Sequence, residues 1–230
     1  NQYLAKAVGP QLEDLQRALA TGGLGFNDYF AHDGDDTAAG LAVLAAAGMA
    51  VDCSVLDPFS RPDHFVAYPF ETHGSHAVTA RAIQALLLAG CDATPWRRCI
   101  ERTQQPDGWW ASEKWNRSRL YGTSLAVAAL DADSPDIKTA LTAFLRYQHA
   151  DGGWGCFDES TPVETAFAVL ALCSIAQRTD VEIECIEAIA AARSYLRRTY
   201  NMRRIGRDLL WICKDLYSAK RVDQGAVLCA

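Results

Sequence analysis

The sequence predicts an all-α fold, an α/α toroid of alternating inner and outer helices, on three observations. Four small-apolar segments recur: Asp36 to Gly48, His76 to Gly90, Tyr121 to Asp131, and Glu164 to Ala176. Each carries a threonine followed by an Ala/Leu/Val run, and Thr37, Thr79, Thr123 and Thr165 are separated by 42, 44 and 42 residues. Between them lie segments whose apolar residues return at helical spacing with charges opposite: Leu12, Leu15 and Leu19; Ile137, Leu141 and Leu145; Ile183, Ile186 and Ile189.

The threonine-bearing segments are apolar nearly all round, as helices buried on every side must be, whereas the intervening ones keep one wet face. Inner and outer helices therefore alternate at the period of a repeat architecture. Strand signals are weak, since β-branched runs are short and no Asn-Gly turn joins two alternating segments. Trp211 to Tyr217, about 46 residues after Thr165, is expected to open a further inner helix. Gly and Pro cluster between the repeats, as in Leu56-Asp57-Pro58 and Gln105-Pro106-Asp107-Gly108. These are loops, and residues 1–230 are expected to form a single domain.

Composition narrows the function. Half of the 230 residues are hydrophobic, enough for a sizeable core. The net charge is −6, and no block of Lys or Arg alternates with aromatics, which argues against a nucleic-acid partner. The eight cysteines are scattered, never as C-x-x-C, so neither disulfide staples nor a zinc site is expected. Thiols packed in apolar runs such as Leu172-Cys173-Ser174-Ile175 fit a reduced, cytoplasmic compartment. No run of about 18 uncharged apolar residues is present and the N-terminus has no signal-peptide pattern, so no integral membrane segment is expected. The chain begins at Asn1 rather than Met, which leaves room for an upstream portion.

The first repeat opens with His32-Asp33-Gly34-Asp35-Asp36-Thr37-Ala38, three carboxylates within four residues at the mouth of an inner helix. Helix capping accounts for one aspartate or two, because Asp accepts orphan amides and complements the helix dipole. A calcium loop is excluded by the missing twelve-residue pattern. The other reading is acid catalysis: crowded carboxylates repel, so one is held protonated while its neighbours stay ionised. Carbon is a poor base, and protonating an alkene requires such an acid facing a dry pocket.

Asp33-Gly34-Asp35-Asp36-Thr37-Ala38 resembles the D-x-D-D-T-A signature of class II diterpene cyclases and squalene-hopene cyclases. Gln104-Gln105-Pro106-Asp107-Gly108-Trp109-Trp110 and Gln148-His149-Ala150-Asp151-Gly152-Gly153-Trp154 contain Q-x-x-x-G-x-W, the QW repeat of the same superfamily, 44 residues apart. Trp115 to Thr123 and Leu210 to Tyr217 also look like the bacterial enzymes, so the resemblance runs from about Gly25 to the C-terminus. It implies the β domain of such a cyclase. Asp35 would be the proton donor, supported by Asp33 and Asp36, on a linear prenyl diphosphate of C20 or C15 length whose diphosphate is retained.

Relatives often place an Asn or His against the acid, which makes His76 a candidate partner of Asp35; Thr79-Ala80-Arg81 stands where their Asn-Ala-His triplet would align. Carbocations are stabilised by aromatic faces, each worth about 1 to 2 kcal/mol when dry, and the candidates are Trp110, Tyr121, Trp154, Phe157, Trp211 and Tyr217. The QW residues read as structural, with Gln satisfying backbone at a helix end and Trp stacking on the neighbouring turn.

The resemblance also implies Mg²⁺, bound by an acidic motif of a partner γ domain. No second carboxylate cluster and no D-D-x-x-D occurs in this chain. The lid over Asp35 is therefore expected from a γ-type domain, a separate subunit or self-association, with a cavity opening beside Asp35. Two rival readings are a non-catalytic prenyl-binding or assembly toroid and a prenyltransferase β subunit. The second is disfavoured because no zinc set surrounds Cys156.

Overall fold

A computed structural model describes residues 2–27, 29–111, 115–180, 183–201, 210–211 and 219–230. Among them are nine α-helices and one 3-10 helix, and β-pairing is confined to isolated bridges. The all-α expectation holds. The expected helix over Trp211 to Tyr217 falls, except for Trp211, outside the described residues.

Contacts divide the chain into two compact units, residues 1–100 and 101–230. In the first, α1 (Gln2–Leu19) lies on α2 (Gly34–Ala46), a 3-10 helix (Cys53–Phe59) follows, and α3 (His76–Leu88) packs along α2. Helix α4 (Thr94–Thr103) runs across the boundary. In the second, α7 (Pro162–Ala176) packs against α5 (Arg119–Ala129), α6 (Pro135–Arg146), α8 (Ile183–Thr199) and α9 (Lys220–Cys229). The four small-apolar segments thus become α2, α3, α5 and α7. Helix α7 shows why: Val163 to Val169 are buried without a break, and the carboxylate among them, Glu164, is itself buried and accepts the Ser118 hydroxyl at 2.7 Å.

The outer helices bury different stripes from those expected. Helix α8 exposes Ile183 and Ile186 at 63% and 48% and instead buries Cys185, Ala188, Ile189, Ala192, Tyr195 and Leu196. Small Ala188 and Ala192 allow close approach to the inner layer, and that outweighs the two isoleucines. Helix α6 likewise buries Ala140, Ala143 and Phe144 beside Ile137.

The threonine beat has one physical cause. Each threonine is fully buried and its Oγ1 accepts a backbone N–H from the loop before its helix. Leu24 N donates to Thr37 and Phe65 N to Thr79, each at 2.9 Å. Trp110 N donates to Thr123 at 3.0 Å, and Trp154 N to Thr165 at 2.9 Å. A buried amide left unpaired costs about 1–3 kcal/mol, so every repeat needs a hydroxyl at this place.

The QW segments are tied in a second way. Gln104 Nε2 donates to Gly108 O and Asp136 O, at 3.1 and 2.9 Å, and Gln148 Nε2 donates to Gly152 O and Ala188 O, both at 2.9 Å. One amide thereby closes its own loop and holds the following outer helix. Gly108 and Gly152 sit at φ +90 and +89, where a Cβ would meet Thr139 O at 2.7 Å or Ala191 O at 2.8 Å. Both the turn and the close approach demand glycine. Trp154 completes the motif, 1% exposed, with its indole N–H donated to Phe144 O at 3.0 Å.

Candidate functional site

Asp33 is extended (φ −125, ψ 157) and caps α2, its Oδ1 accepting the N–H of Asp36 at 2.8 Å. Ser75 and Thr161 do the same for α3 and α7, and they too stand four residues before the repeat threonine. Capping therefore accounts for Asp33 and needs no carboxylate, since Ser or Thr serves elsewhere. Two residues on, the place of Asp35 is taken by Ala77, Tyr121 and Val163 in the other repeats. Asp35 has no counterpart, so the repeat scaffold does not explain it.

Gly34, the variable residue of the motif, is fixed by crowding. Its N–H donates to Ala67 O at 2.8 Å, and a Cβ would meet Val66 O at 2.6 Å. Residues 66–67 press onto the helix mouth at Gly34, and Asp33 beside it is 8% exposed. Burial, and next the charge of Asp36, push the Asp33 carboxyl up to about 7, with Asp35 adding to the rise and the Asp36 N–H opposing it. The Asp33 carboxyl is thus partly protonated at neutral pH.

Asp35 lies in the first turn of α2 with its side chain 30% exposed. Its Oδ1 is 2.8 Å from Nε of Arg81, in the second turn of α3. Arg81 departs from the Asn-Ala-His triplet, and it is the residue of Thr79-Ala80-Arg81 that reaches Asp35. His76, the expected partner, is the first residue of α3 and half-buried behind the Ser75 cap. Among the described residues, none covers Asp35 completely.

The aromatic candidates lie in the second unit. Tyr121, 4% exposed, stands edge-to-face with Phe167 and Trp211, at centroid distances of 5.2 and 5.5 Å. Trp211 donates its indole N–H to Asp223 Oδ1 at 3.0 Å. Trp154 and Phe157 meet at a pocket of about 160 Å³ that Arg119, stacked 5.1 Å over Trp109, also lines. That is below the roughly 300 Å³ at which small-ligand pockets begin. Trp110 is buried to 0% exposure, Phe157 is 64% exposed with the Arg117 guanidinium 5.1 Å over its ring, and Tyr217 lies outside the described residues.

Residues 58–199 match the family model for the squalene-hopene cyclase C-terminal domain. The chain is 42% identical over 224 residues to a (+)-kolavenyl diphosphate synthase of Herpetosiphon aurantiacus, covering 96% of this chain and 43% of the relative. It is 33% identical to an ent-copalyl diphosphate synthase of a Streptomyces species, covering 96% and 45%. The structure superposes on an ent-copalyl diphosphate synthase from Streptomyces platensis with a TM-score of 0.84 at 28% identity, covering 94% of this chain and 44% of that one. The expected α/α-toroid fold is the one matched, and the chain spans less than half the length of these relatives.

Proposed function

This chain belongs to the squalene-hopene cyclase C-terminal domain family of the class II terpene cyclases, and on that premise we propose that it is the acid-bearing part of an enzyme that cyclises a linear prenyl diphosphate by protonation. Asp35 is the donor. Its O–H gives a proton to the terminal alkene, whose π electrons form the new C–H bond and leave a tertiary cation. The next alkene attacks that cation, rings close, and a final deprotonation ends the sequence. No C–O bond to the diphosphate breaks, so the product keeps it; the kolavenyl and copalyl diphosphate names of the relatives support that reading.

The observation that carries the proposal is Asp35 itself: a carboxylate at the inner-helix mouth, unexplained by the repeat and gripped by Arg81 at 2.8 Å. Asp33 and Asp36 flank it, with Asp33 partly protonated near neutrality. Arg81 positions the carboxyl by holding Oδ1, and it makes Asp35 a stronger acid once protonated. Of the aromatics, Trp110 and Trp154 pack the core of the second unit.

Asp35 is 30% exposed and paired with Arg81. Protonation of carbon requires water to be excluded, so a γ-type domain, a separate subunit or a second copy is proposed to cover Asp35. Among the described residues no three His, Cys, Asp or Glu side chains are grouped to hold a metal ion. No described helix is long and apolar enough to cross a membrane.

The test is product analysis by mass spectrometry with geranylgeranyl and farnesyl diphosphates, for the enzyme and its Asp35→Asn variant. A cyclic diphosphate from geranylgeranyl diphosphate, lost in the variant, is expected. Turnover of farnesyl diphosphate alone would revise the chain length, and binding without turnover by the covered protein would favour a prenyl-binding toroid.

A further inference from the structure

Seven cysteines are described and all are free thiols, yet two of them are nearly bonded. Sγ of Cys53 is 2.9 Å from Sγ of Cys91, across 38 residues of chain. Both are half-buried. Both are also held by their backbones. Cys53 opens the 3-10 helix behind the Asp52 cap, whose carboxylate accepts Ser54 N at 3.0 Å. Cys91 follows the left-handed Gly90 at the end of α3 and donates its N–H to Leu86 O at 2.8 Å. A disulfide bond is about 2.05 Å long, so the two sulfurs stand about 0.9 Å beyond bonding distance.

We propose that Cys53 and Cys91 form a disulfide-forming dithiol site that takes a small-molecule disulfide as its oxidant. One protein thiolate attacks the small disulfide, forming a mixed disulfide and releasing one small thiolate. The second protein sulfur attacks the mixed disulfide, forming the Cys53–Cys91 bond and releasing the other. The two protein protons pass to the two released thiols, the protein is oxidised by two electrons, and the small disulfide is reduced by two. The neighbouring sulfur makes the second step intramolecular, so a mixed disulfide does not persist.

Burial, followed by the neighbouring Cys91, pushes the Cys53 thiol up to about 12. The attacking thiolate is accordingly scarce at neutral pH, and exchange quickens as pH rises. The bond would join the segments that leave the C-terminal ends of α2 and α3, the two helices that bring Asp35 and Arg81 together.

The experiment is incubation of the folded protein with oxidised glutathione, quenching with iodoacetamide, and non-reducing peptide mapping by mass spectrometry. The expected product has lost two hydrogens, links the peptides of Cys53 and Cys91, carries no glutathione on either, and reverts with dithiothreitol. Cys91→Ser, with its helical circular dichroism checked, should instead keep one glutathione on Cys53. Alkylation of both cysteines after oxidation, or a glutathione adduct that persists on either in the unsubstituted protein, would overturn the proposal.

Discussion

Nε of Arg81 stands 2.8 Å from Oδ1 of Asp35, joining the second turn of α3 to the first turn of α2. Each residue reaches from a separate repeat, and each is more exposed than the Asp33 cap beside them. If Arg81 positions the acid, Arg81→Met should lower kcat about 10²-fold while leaving KM within a few-fold, as expected for loss of an interaction that matters in the transition state. Arg81→Lys should recover part of the rate, since it restores charge without the guanidinium fork. Equal changes in kcat for Met and Lys, tracking a loss of melting temperature, would make the pair merely structural.

Asp33 sets a pH dependence of stability. Its folded value, about 7, lies above the ordinary value of 3.8, so the native state binds the proton more tightly. The stability this contributes is full below about pH 4 and is lost as pH rises through 7. Asparagine caps a helix as well as aspartate, so Asp33→Asn should be more stable than the unsubstituted protein at pH 8, by up to about 4 kcal/mol, with the gap closing towards pH 4. Thermal melts at the two pH values check this, and a pH-independent gap would contradict it.

Thr165→Val keeps the shape of a buried side chain but strips Trp154 N of its acceptor. A cost of about 1–3 kcal/mol is expected, with Thr165→Ser costing less because the hydroxyl survives. Denaturant titration of both variants gives the comparison. Equal losses would mean that the methyl group matters and the hydroxyl does not.

Trp154→Ala should cost about 3 to 5 kcal/mol, the range for deleting a large buried aromatic, because Trp154 is 1% exposed and packs edge-to-face on Phe144 at 6.4 Å. An unchanged melting temperature with an altered product spectrum would move Trp154 from the core to the substrate pocket.

Much of this was legible before any coordinates. The threonine period located α2, α3, α5 and α7 because a buried amide must be paired once per repeat, and that need recurs at fixed spacing. The QW glutamines and glycines were legible for the same reason. Helix α4 was missed: its ten residues bury only Ile100 and carry Arg97, Arg98, Glu101 and Arg102, leaving too short an apolar stripe to read. The buried faces of α6 and α8 were displaced because alanines, silent in a hydrophobic pattern, mark the closest packing. Arg81 was passed over because a lone cation in an apolar helix gains meaning only when another repeat supplies its carboxylate. The Cys53–Cys91 approach, spanning 38 residues, has no local signature.

Solvent isotope labelling probes the proton transfer itself. The enzyme, with its covering domain or subunit, is given geranylgeranyl diphosphate in deuterated water, and the product is read by mass spectrometry and NMR. If Asp35, exchanged with solvent, protonates the terminal alkene, the product should be cyclic, retain its diphosphate, and carry one deuterium at the carbon that received the proton, with no product from Asp35→Asn. A cyclic product without deuterium, or release of inorganic diphosphate in step with cyclisation, would contradict protonation by Asp35.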